Sequence, residues 1–251
     1  MIDRTYPSSG EVSEVSERRE GRESTARPNE PSVPEDVTWH DLDRQARAAL
    51  RSLPKEMAER VGAHLAMAGL LIDDDPELAR KHTDVARRLA ARVAVVREAC
   101  ALTSYACGDF DTALQELRAH RRLSGDQRHL PLMADCERGL GRPQRALELA
   151  ASPEARTLPP DVARELRIVV AGARCDLGQP EAALALLGAD PALSASLPAA
   201  GAGVDASVVR LRYAYADVLE QLGRTEEAEQ WFGRVAAIDS DGITDAAERL
   251  A

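Results

Sequence analysis

The chain has 251 residues, of which 44% are hydrophobic and only 3% are aromatic, so its core has to be built from alanine, leucine and valine. This composition favours helices, because alanine and leucine are strong helix formers whereas strands prefer β-branched and aromatic side chains. The formal net charge of −10 opposes general binding to nucleic acid or to an anionic membrane, although it is compatible with a local basic patch. We therefore expect an all-α protein.

The sequence shows neither a membrane span nor a secretory signal, which predicts a soluble cytoplasmic protein. No apolar run approaches the roughly 18 residues that a membrane span needs, and the first residues lack the basic-then-apolar order of a secretory signal. The four cysteines form no CxxC pair and fall within helical patterns, so we expect small buried side chains rather than redox or zinc chemistry. They are Cys100, Cys107, Cys136 and Cys175.

The N-terminal part of the chain is predicted to contain a tail followed by two helices. Residues 1–36 mix proline, serine, glutamate and arginine with few apolar residues, which predicts a disordered tail. Order is expected to begin near Thr38, an N-cap candidate with the acidic Asp41 in the first turn. That helix should run to about Leu53, and Pro54 should start a longer and more apolar helix.

A short pattern recurs along the rest of the chain. An alanine stands at Ala79, Ala113, Ala146, Ala183 and Ala228, in steps of 34, 33, 37 and 45 residues. The residues five positions before these alanines are Asp74, Gly108, Gly141, Gly178 and Gly223. A period of about 34 residues is typical of proteins built from stacked helix pairs. The sequence therefore predicts a helix pair at each recurrence.

Each residue type in the pattern has a physical role in such a pair. The glycine is predicted to end the first helix, because glycine enters the left-handed region without a Cβ penalty. Pro76, Pro143 and Pro180 follow two positions after the turn residue, where a fixed φ suits the start of the second helix. The alanine is predicted to contact the first helix of its own pair, since a larger side chain would force the helices apart. The small residues expected opposite it are Ala101, Ala134, Ala171 and Ala216.

The pattern resembles the tetratricopeptide repeat (TPR) family over residues 60–237. The turn GDFDTAL in the second unit carries the resemblance most clearly, together with LEQLGRTEEAEQWF in the fifth, which keeps a later aromatic as Phe232. The resemblance implies a right-handed α-solenoid of about five TPR-like helix pairs, with an extra N-terminal helix and a short C-terminal capping helix. This repeat domain would occupy residues 37–251 and contain a loop insertion at about 190–207.

The resemblance also implies a groove, because the first helices of TPR proteins line a concave surface that holds a partner peptide. The implied lining residues are Glu98, Leu102, Tyr105, Asp135, Arg138, Asp176, Arg210, Tyr213, Asp217 and Glu220, together with His64, Leu71, Arg128, Glu165 and Ile168. Acidic residues outnumber basic ones in this set, so we expect a protein or peptide partner with lysine or arginine beside one or two apolar anchors. The alternative is that Asp217 and Glu220 only pair with neighbouring arginines and that Tyr213 packs between repeats.

Catalytic and cofactor-binding signatures are absent from the sequence. It contains no GxxxxGK[ST], GxSxG or HExxH motif, and the five histidines are not spaced as ligands on one helix face. Residues 237–248 partly fit a calcium loop, but Ala237 occupies the first ligand position, so a polar turn before a last helix is the preferred interpretation. We expect a protein that is not an enzyme and that binds no cofactor or metal.

A basic patch leads to an alternative function. Between residues 78 and 128, ten arginines or lysines face six acidic residues. The arginines of this patch are Arg87, Arg88, Arg92, Arg118, Arg121 and Arg122. They are either solvated helix faces or a contact surface for RNA or an acidic protein. The first hypothesis is therefore a non-enzymatic protein–protein interaction scaffold, and the alternative is an RNA- or ribosome-associated factor that uses the basic patch of residues 80–128.

Overall fold

The computed structural model describes residues 30–195 and 204–250. Within these ranges, the regular elements are twelve α-helices and three 3-10 turns, and no strand is present. The prediction of an all-α protein is therefore confirmed. The chain divides into two compact units, unit 1 at Met1–Asp126 and unit 2 at Gln127–Ala251. None of the helices in the described ranges has the length and the apolar character that a membrane span requires.

Within its described residues, unit 1 contains five α-helices. A 3-10 turn at Trp39–Asp41 precedes α1 (Arg44–Leu50), α2 (Lys55–Leu71), α3 (Pro76–Ala90), α4 (Ala94–Ala106) and α5 (Phe110–Ser124). Helix α2 packs on α3 and α4 packs on α5, so each couple forms a helical hairpin, and α3 also packs on α4. One core cluster joins the first four helices through Leu50, Val61, Ala86 and Val96, all of which are fully buried.

The chain before α1 packs along α2. Val33 and Val37 lie against Ala66 and Met67 of that helix. Because these valines bury apolar surface, the folded part of the chain begins several residues before Thr38, which is the start predicted from the sequence. The rest of the predicted tail, residues 1–29, lies outside the described residues.

The helix predicted from Thr38 to about Leu53 is instead a 3-10 turn followed by the separate α1. Thr38 is an N-cap, as predicted, and its backbone N–H donates to the Asp41 carboxylate at 2.7 Å in a complete capping box. The break between the two elements lets Trp39 lie on α2 at Gly62. A Cβ atom at Gly62 would come within 2.4 Å of the Trp39 Cβ, so only glycine allows this close contact.

In its described residues, unit 2 contains three helical hairpins. Its described helices are α6 (Leu130–Gly139), α7 (Pro143–Ala150), α8 (Pro160–Asp176), α9 (Pro180–Gly188), α10 (Pro191–Ser194), α11 (Ala206–Gln221) and α12 (Thr225–Ala236), with 3-10 turns at Glu154–Thr157 and Glu248–Leu250. The hairpins are α6 with α7, α8 with α9, and α11 with α12. Each hairpin packs on the next through both of its helices, since α6 and α7 contact α8 while α8 and α9 contact α11. Helices α6, α8 and α11 therefore lie side by side, with α8 in the middle.

Four turn glycines adopt the predicted left-handed conformation, with φ between +71° and +73°. They are Gly108, Gly141, Gly178 and Gly223. At Gly178, the glycine N–H donates to the Cys175 carbonyl at 2.8 Å and the next N–H donates to the Arg174 carbonyl at 2.9 Å. This is the Schellman pattern, and the other three turns have the same pair of bonds. The prediction that glycine ends the first helix is confirmed at these four turns.

The alanines of the repeat pattern are buried at the helix contacts. All five, and all four of the small residues predicted opposite them, have exposed fractions between 0% and 1%. Ala134 shares a core cluster with Ala146, and Ala171 shares another with Ala183. These two hairpins of unit 2 are thus closed by small side chains on both helices, as the pattern predicts.

The predicted loop insertion is partly helical. Pro191–Ser194 forms α10, because a proline at the first position starts a helix as readily as it ends one. Asp190 caps this turn through the Ala192 N–H at 2.9 Å, and Arg212 of α11 donates to the Ala192 carbonyl at 3.0 Å. The first part of the insertion is therefore fixed on α11, and its remaining residues 196–203 lie outside the described residues.

The C-terminal segment, residues 239–250, folds back on α12. Its first residue makes the polar turn that the sequence predicts: the Asp239 carboxylate accepts the N–H groups of Ile243 and Thr244, both at 2.8 Å. The predicted closing helix is only a single 3-10 turn at Glu248–Leu250.

Candidate interaction groove

Apart from Arg128, which lies in the turn before α6, the predicted groove residues lie on the first helices of hairpins in both units. Glu98, Leu102 and Tyr105 are on α4 of unit 1, and Asp135 and Arg138 are on α6, Asp176 is on α8, and Arg210, Tyr213, Asp217 and Glu220 are on α11 of unit 2. Half of these ten residues meet in one pocket of unit 2. The structure therefore brings together α6, α8 and α11 residues that are far apart in the sequence.

This pocket has a volume of about 430 Å³ and lies among α6, α8 and α11. Its lining residues are Arg138, Ile168, Ala171, Gly172, Cys175, Asp176, Arg210, Tyr213, Ala214, Asp217, Val218 and Gln221. We call it the unit 2 pocket. Its lining combines a few charged side chains with small and medium apolar ones, which is the composition of many binding sites.

Arg138 bridges α6 and α8 at the pocket. Its guanidinium donates to Asp135 at 2.8 Å and to both oxygens of Asp176 at 2.8 and 3.3 Å. Gly172 makes room for this side chain, because a Cβ atom there would lie 2.6 Å from the Arg138 Cζ. Burial lowers the pKa of Arg138, but the bond and charge of Asp176 outweigh it, so the net shift is upward and the positive charge is retained.

A second ion pair joins α8 to α11. The Arg210 guanidinium donates twice to one oxygen of Glu165, at 2.9 and 2.6 Å. Glu165 is in the first half of α8, whereas Asp176 ends that helix. The two ends of α8 are therefore tied to neighbouring helices by different arginines.

Tyr213 links the pocket to the C-terminal segment. Its hydroxyl donates to Asp245 and accepts an N–H of Arg249 at 3.2 Å, while its ring lies 5.5 Å from that of Phe232. Burial, followed by the hydrogen bond to Asp245, raises the pKa of Tyr213 to about 12. The phenol is therefore a neutral hydrogen-bond donor at physiological pH.

Asp217 and Glu220, near the C-terminal end of α11, both interact with Arg249, the arginine that also contacts Tyr213. Arg249 forms an ion pair with Glu220 and approaches Asp217 to 3.6 Å, and Gln221 donates to Asp217 at 2.7 Å. For Asp217 and Glu220, this is the alternative that the sequence left open, namely pairing with a nearby arginine. The side chains form one network, so none of them is an isolated charge.

An acidic excess persists in unit 2 after this pairing. The carboxylates in these ion pairs are Asp135, Glu165, Asp176, Asp217 and Glu220, and the guanidiniums are Arg138, Arg210 and Arg249. Since each guanidinium compensates one carboxylate, two negative charges are uncompensated within this set. The charged residues that line the pocket itself, Arg138, Arg210, Asp176 and Asp217, balance one another, so the excess lies beside the pocket.

Sequence reasoning did not assign several residues to the site: Gly172, Ala214, Val218 and Gln221 line the pocket, Ala171 and Cys175 were expected only as small packing residues, and Arg249 contacts Tyr213. Gly172 interrupts the helical pattern of α8, and a glycine inside a helix usually has a packing reason, so this signal was available. Arg249 gives no such signal, because it is 29 residues from Glu220 and the contact depends on how the C-terminal segment folds back.

In unit 1, one residue placed in the groove by resemblance lies elsewhere. His64 is 5% exposed, and its Nδ1 lies 2.9 Å from the Nδ1 of His82 on α3. Its assignment to the groove is wrong, because it faces the partner helix of its own hairpin. Leu102 is half-buried, and the half-buried Tyr105 ring packs edge-on against Phe110 at 5.5 Å.

Acidic side chains lie beside Arg87 and Arg88 of the basic patch. Arg87 lies 3.3 Å from Asp84 and 3.2 Å from Glu116, and Arg88 lies 3.7 Å from Glu30. Part of the positive charge counted in the sequence is therefore compensated within unit 1.

The four cysteines are free thiols, two of them buried and two half-buried. Cys175 lines the unit 2 pocket, where burial first and the charge of Asp217 second raise the pKa of its thiol. A thiol that stays protonated is a poor nucleophile, so Cys175 contributes to the pocket as a small apolar side chain.

A scan against protein-family models finds no match for this chain, and a search of curated proteins finds none either.

Proposed function

We propose that the chain is a non-enzymatic interaction protein whose unit 2 pocket binds a segment of a partner protein. The observation that carries this proposal is the composition of the pocket, in which charged side chains from three adjacent helices accompany apolar ones in about 430 Å³. Pockets of this size with a few placed polar groups are typical of binding sites.

We also propose that the architecture is a right-handed α-solenoid of about five TPR-like helix pairs. Three features support it: the glycine turns, the buried alanines, and the packing of successive hairpins of unit 2 through both helices. In that architecture, α6, α8 and α11 are the first helices of their pairs and present one continuous surface. TPR proteins hold partner segments on this surface.

The charges around the pocket favour a basic partner. Two uncompensated carboxylates attract lysine or arginine, and opposite charge raises the rate of encounter and the selectivity. Ile168, Cys175 and Ala214, which are half-buried, supply apolar surface that can hold a leucine or an aromatic side chain. The partner segment should therefore carry a basic residue within a few positions of an apolar anchor.

Fluorescein-labelled hexapeptides test this preference directly. One set places an arginine or lysine one to three positions from a leucine, and the matched set has glutamine in place of the base. The basic set should bind more tightly, as measured by fluorescence anisotropy, because only it complements the acidic excess. Equal binding of both sets would show that the acidic excess does not select the partner segment.

A double variant locates the binding surface. Asp176→Asn with Asp217→Asn removes two negative charges from the pocket, so association of the basic hexapeptides should slow and lose part of its salt dependence. The control is Glu226→Gln with Glu229→Gln, which removes the same charge from exposed positions of α12. If both double variants change association equally, the pocket is not the binding surface.

The alternative, an RNA- or ribosome-associated factor, predicts a different result. Phosphate binding weakens steeply with salt and is removed by nuclease, whereas a pocket contact with an apolar anchor depends less on salt. Partners that are lost on nuclease treatment would favour the basic patch over the unit 2 pocket.

A further inference from the structure

The C-terminal segment already places an arginine beside the unit 2 pocket. Arg249 donates to Glu220 and to the Tyr213 hydroxyl at 3.2 Å, and it lies 3.6 Å from Asp217. Its guanidinium stands 4.9 Å from the centre of the Phe232 ring. Two carboxylates, a hydroxyl and an aromatic face together are well suited to recognise a guanidinium.

The groups that hold Arg249 are shared with the pocket. Tyr213 and Asp217 both line the unit 2 pocket and both contact Arg249. A partner segment in the pocket therefore reaches two of the side chains that the C-terminal segment uses.

The C-terminal segment is attached by few contacts. Ala246 is the one buried residue among residues 239–250, whereas Ile243 and Leu250 are 41% and 46% exposed. The Arg249 ion pairs are also solvent-accessible, since the Asp217 and Glu220 side chains are 37% and 45% exposed. Exposed ion pairs contribute little stability, and a segment with one buried anchor opens at low cost.

We propose that Tyr213, Asp217 and Glu220 form an arginine-binding subsite of the unit 2 pocket, and that the C-terminal segment is its resident occupant. The inference rests on the proposed function, because it assigns a regulation to the same pocket. An arginine of the partner exchanges with Arg249, so one guanidinium replaces another on the same carboxylates and residues 239–250 are released. The apparent affinity for a partner is then reduced by the fraction of molecules in which Arg249 is seated.

The Arg249→Gln variant tests the competition. It removes the resident guanidinium and leaves every lining residue of the pocket in place. This variant should bind the arginine–leucine hexapeptides about three- to tenfold more tightly than the natural chain, because the subsite is vacant. The control is Arg234→Gln, which removes an exposed arginine that stacks on Trp231 at 4.7 Å and should leave the affinity unchanged.

Hydrogen exchange gives an independent readout on the natural chain. The N–H groups of Glu248 and Arg249 donate to the Asp245 carbonyl at 2.9 and 3.1 Å. Saturation with the arginine hexapeptide should speed exchange at these two amides, and the glutamine hexapeptide should not. If Arg249→Gln lowers the melting temperature, Arg249→Lys serves as a second variant that keeps the charge, and it should give an intermediate gain in affinity.

The outcomes separate this inference from the proposed function. If basic hexapeptides bind but neither Arg249→Gln nor hydrogen exchange responds, the C-terminal segment does not compete and only the inference is wrong. If no basic hexapeptide binds to the natural chain or to the Arg249→Gln variant, the proposed function fails and the inference fails with it.

Discussion

The buried pair His64 and His82 makes the stability of unit 1 depend on pH. Their Nδ1 atoms are 2.9 Å apart, so one imidazole has to donate and the other has to accept. Protonation of both would place two donors face to face. Burial lowers the pKa of His64, and burial together with the charge of His64 lowers the pKa of His82 to about 4.

The protein should lose stability as the pH falls, because the unfolded chain then binds more protons than the folded chain. Between pH 6.5 and about 4, His82 is protonated in the unfolded chain but stays neutral in the folded chain, so the free energy of unfolding falls as the pH falls. The contribution is complete above pH 6.5. Urea unfolding should show that His82→Gln loses less stability across this window than the natural chain, by roughly 1–3 kcal/mol.

The exposed His40 provides the control for this prediction. His40→Gln also removes a histidine, but from a solvated position, so it should keep the full pH dependence. Parallel stability curves for the natural chain and His82→Gln would contradict the account of the buried pair.

Tyr213 should act on the lifetime of a complex rather than on its formation. Its ring lines the unit 2 pocket and packs on Phe232, so Tyr213→Ala removes apolar contact area and should raise the dissociation rate of a bound basic hexapeptide. Tyr213→Phe keeps the ring and loses only the hydroxyl bonds, including the one to a partner arginine, so dissociation should speed up less than in Tyr213→Ala. Stopped-flow anisotropy measures both rates, and equal rates in Tyr213→Ala and Tyr213→Phe would show that the ring is not a contact.

At the scale of the helix, the turn glycines are the features that the sequence predicts best. A left-handed residue is fixed by local sterics alone, so a glycine at the end of an apolar pattern is a dependable signal. Gly223 has φ of +73°, whereas Gly233 lies inside α12 with no atom within 4 Å of an added Cβ.

These two glycines in one hairpin should respond in opposite ways to substitution by alanine. Gly223→Ala should destabilise unit 2 by roughly 1–2 kcal/mol, because alanine is strained in the left-handed region. Gly233→Ala should stabilise it by about 0.5–1 kcal/mol, because alanine loses less backbone entropy in a helix. Urea unfolding of both variants checks the contrast, and a change of the same sign in both would refute the assigned conformations.

The contact alanines allow a similar comparison on α9. Ala183 is fully buried against α8, and its neighbour Ala182 is exposed. Ala183→Leu should overpack the hairpin and lower the free energy of unfolding by roughly 1–3 kcal/mol. Ala182→Leu adds the same volume on the solvent side and should change stability by less than about 0.5 kcal/mol. Similar losses in the two variants would mean that the helix is rotated from the described orientation.

The irregular elements were harder to predict for a physical reason. The predicted helix from Thr38 breaks after one 3-10 turn, because Trp39 gains a contact on α2 at Gly62 that local propensity does not reveal. The 3-10 turn at the C-terminus and the contacts of Arg249 likewise depend on tertiary packing. Local sequence rules therefore predicted the helical hairpins, whereas the structure around Trp39 and Arg249 depends on tertiary contacts.

For the whole molecule, the sequence predicted which helices form the candidate site but only partly how its charged side chains are paired. The repeat pattern placed Arg138, Asp176 and Asp217 on first helices, and the structure brings them into one pocket. The repeat pattern did not predict that arginines would compensate most of the carboxylates, because ion pairing depends on how far side chains reach across neighbouring helices. The ion pairs of unit 2 leave an acidic excess beside the pocket.

The central claim is that the unit 2 pocket is the surface that meets a partner. Photocross-linking in the native cell tests it most directly, with a photoreactive amino acid introduced at Gln221, which lines the pocket, or at Arg92, which is exposed in the basic patch. We predict that the Gln221 position cross-links to protein segments with lysine or arginine near an apolar residue, and that nuclease treatment leaves this product unchanged. Cross-links that form only at Arg92, or that attach to nucleic acid, would contradict the claim.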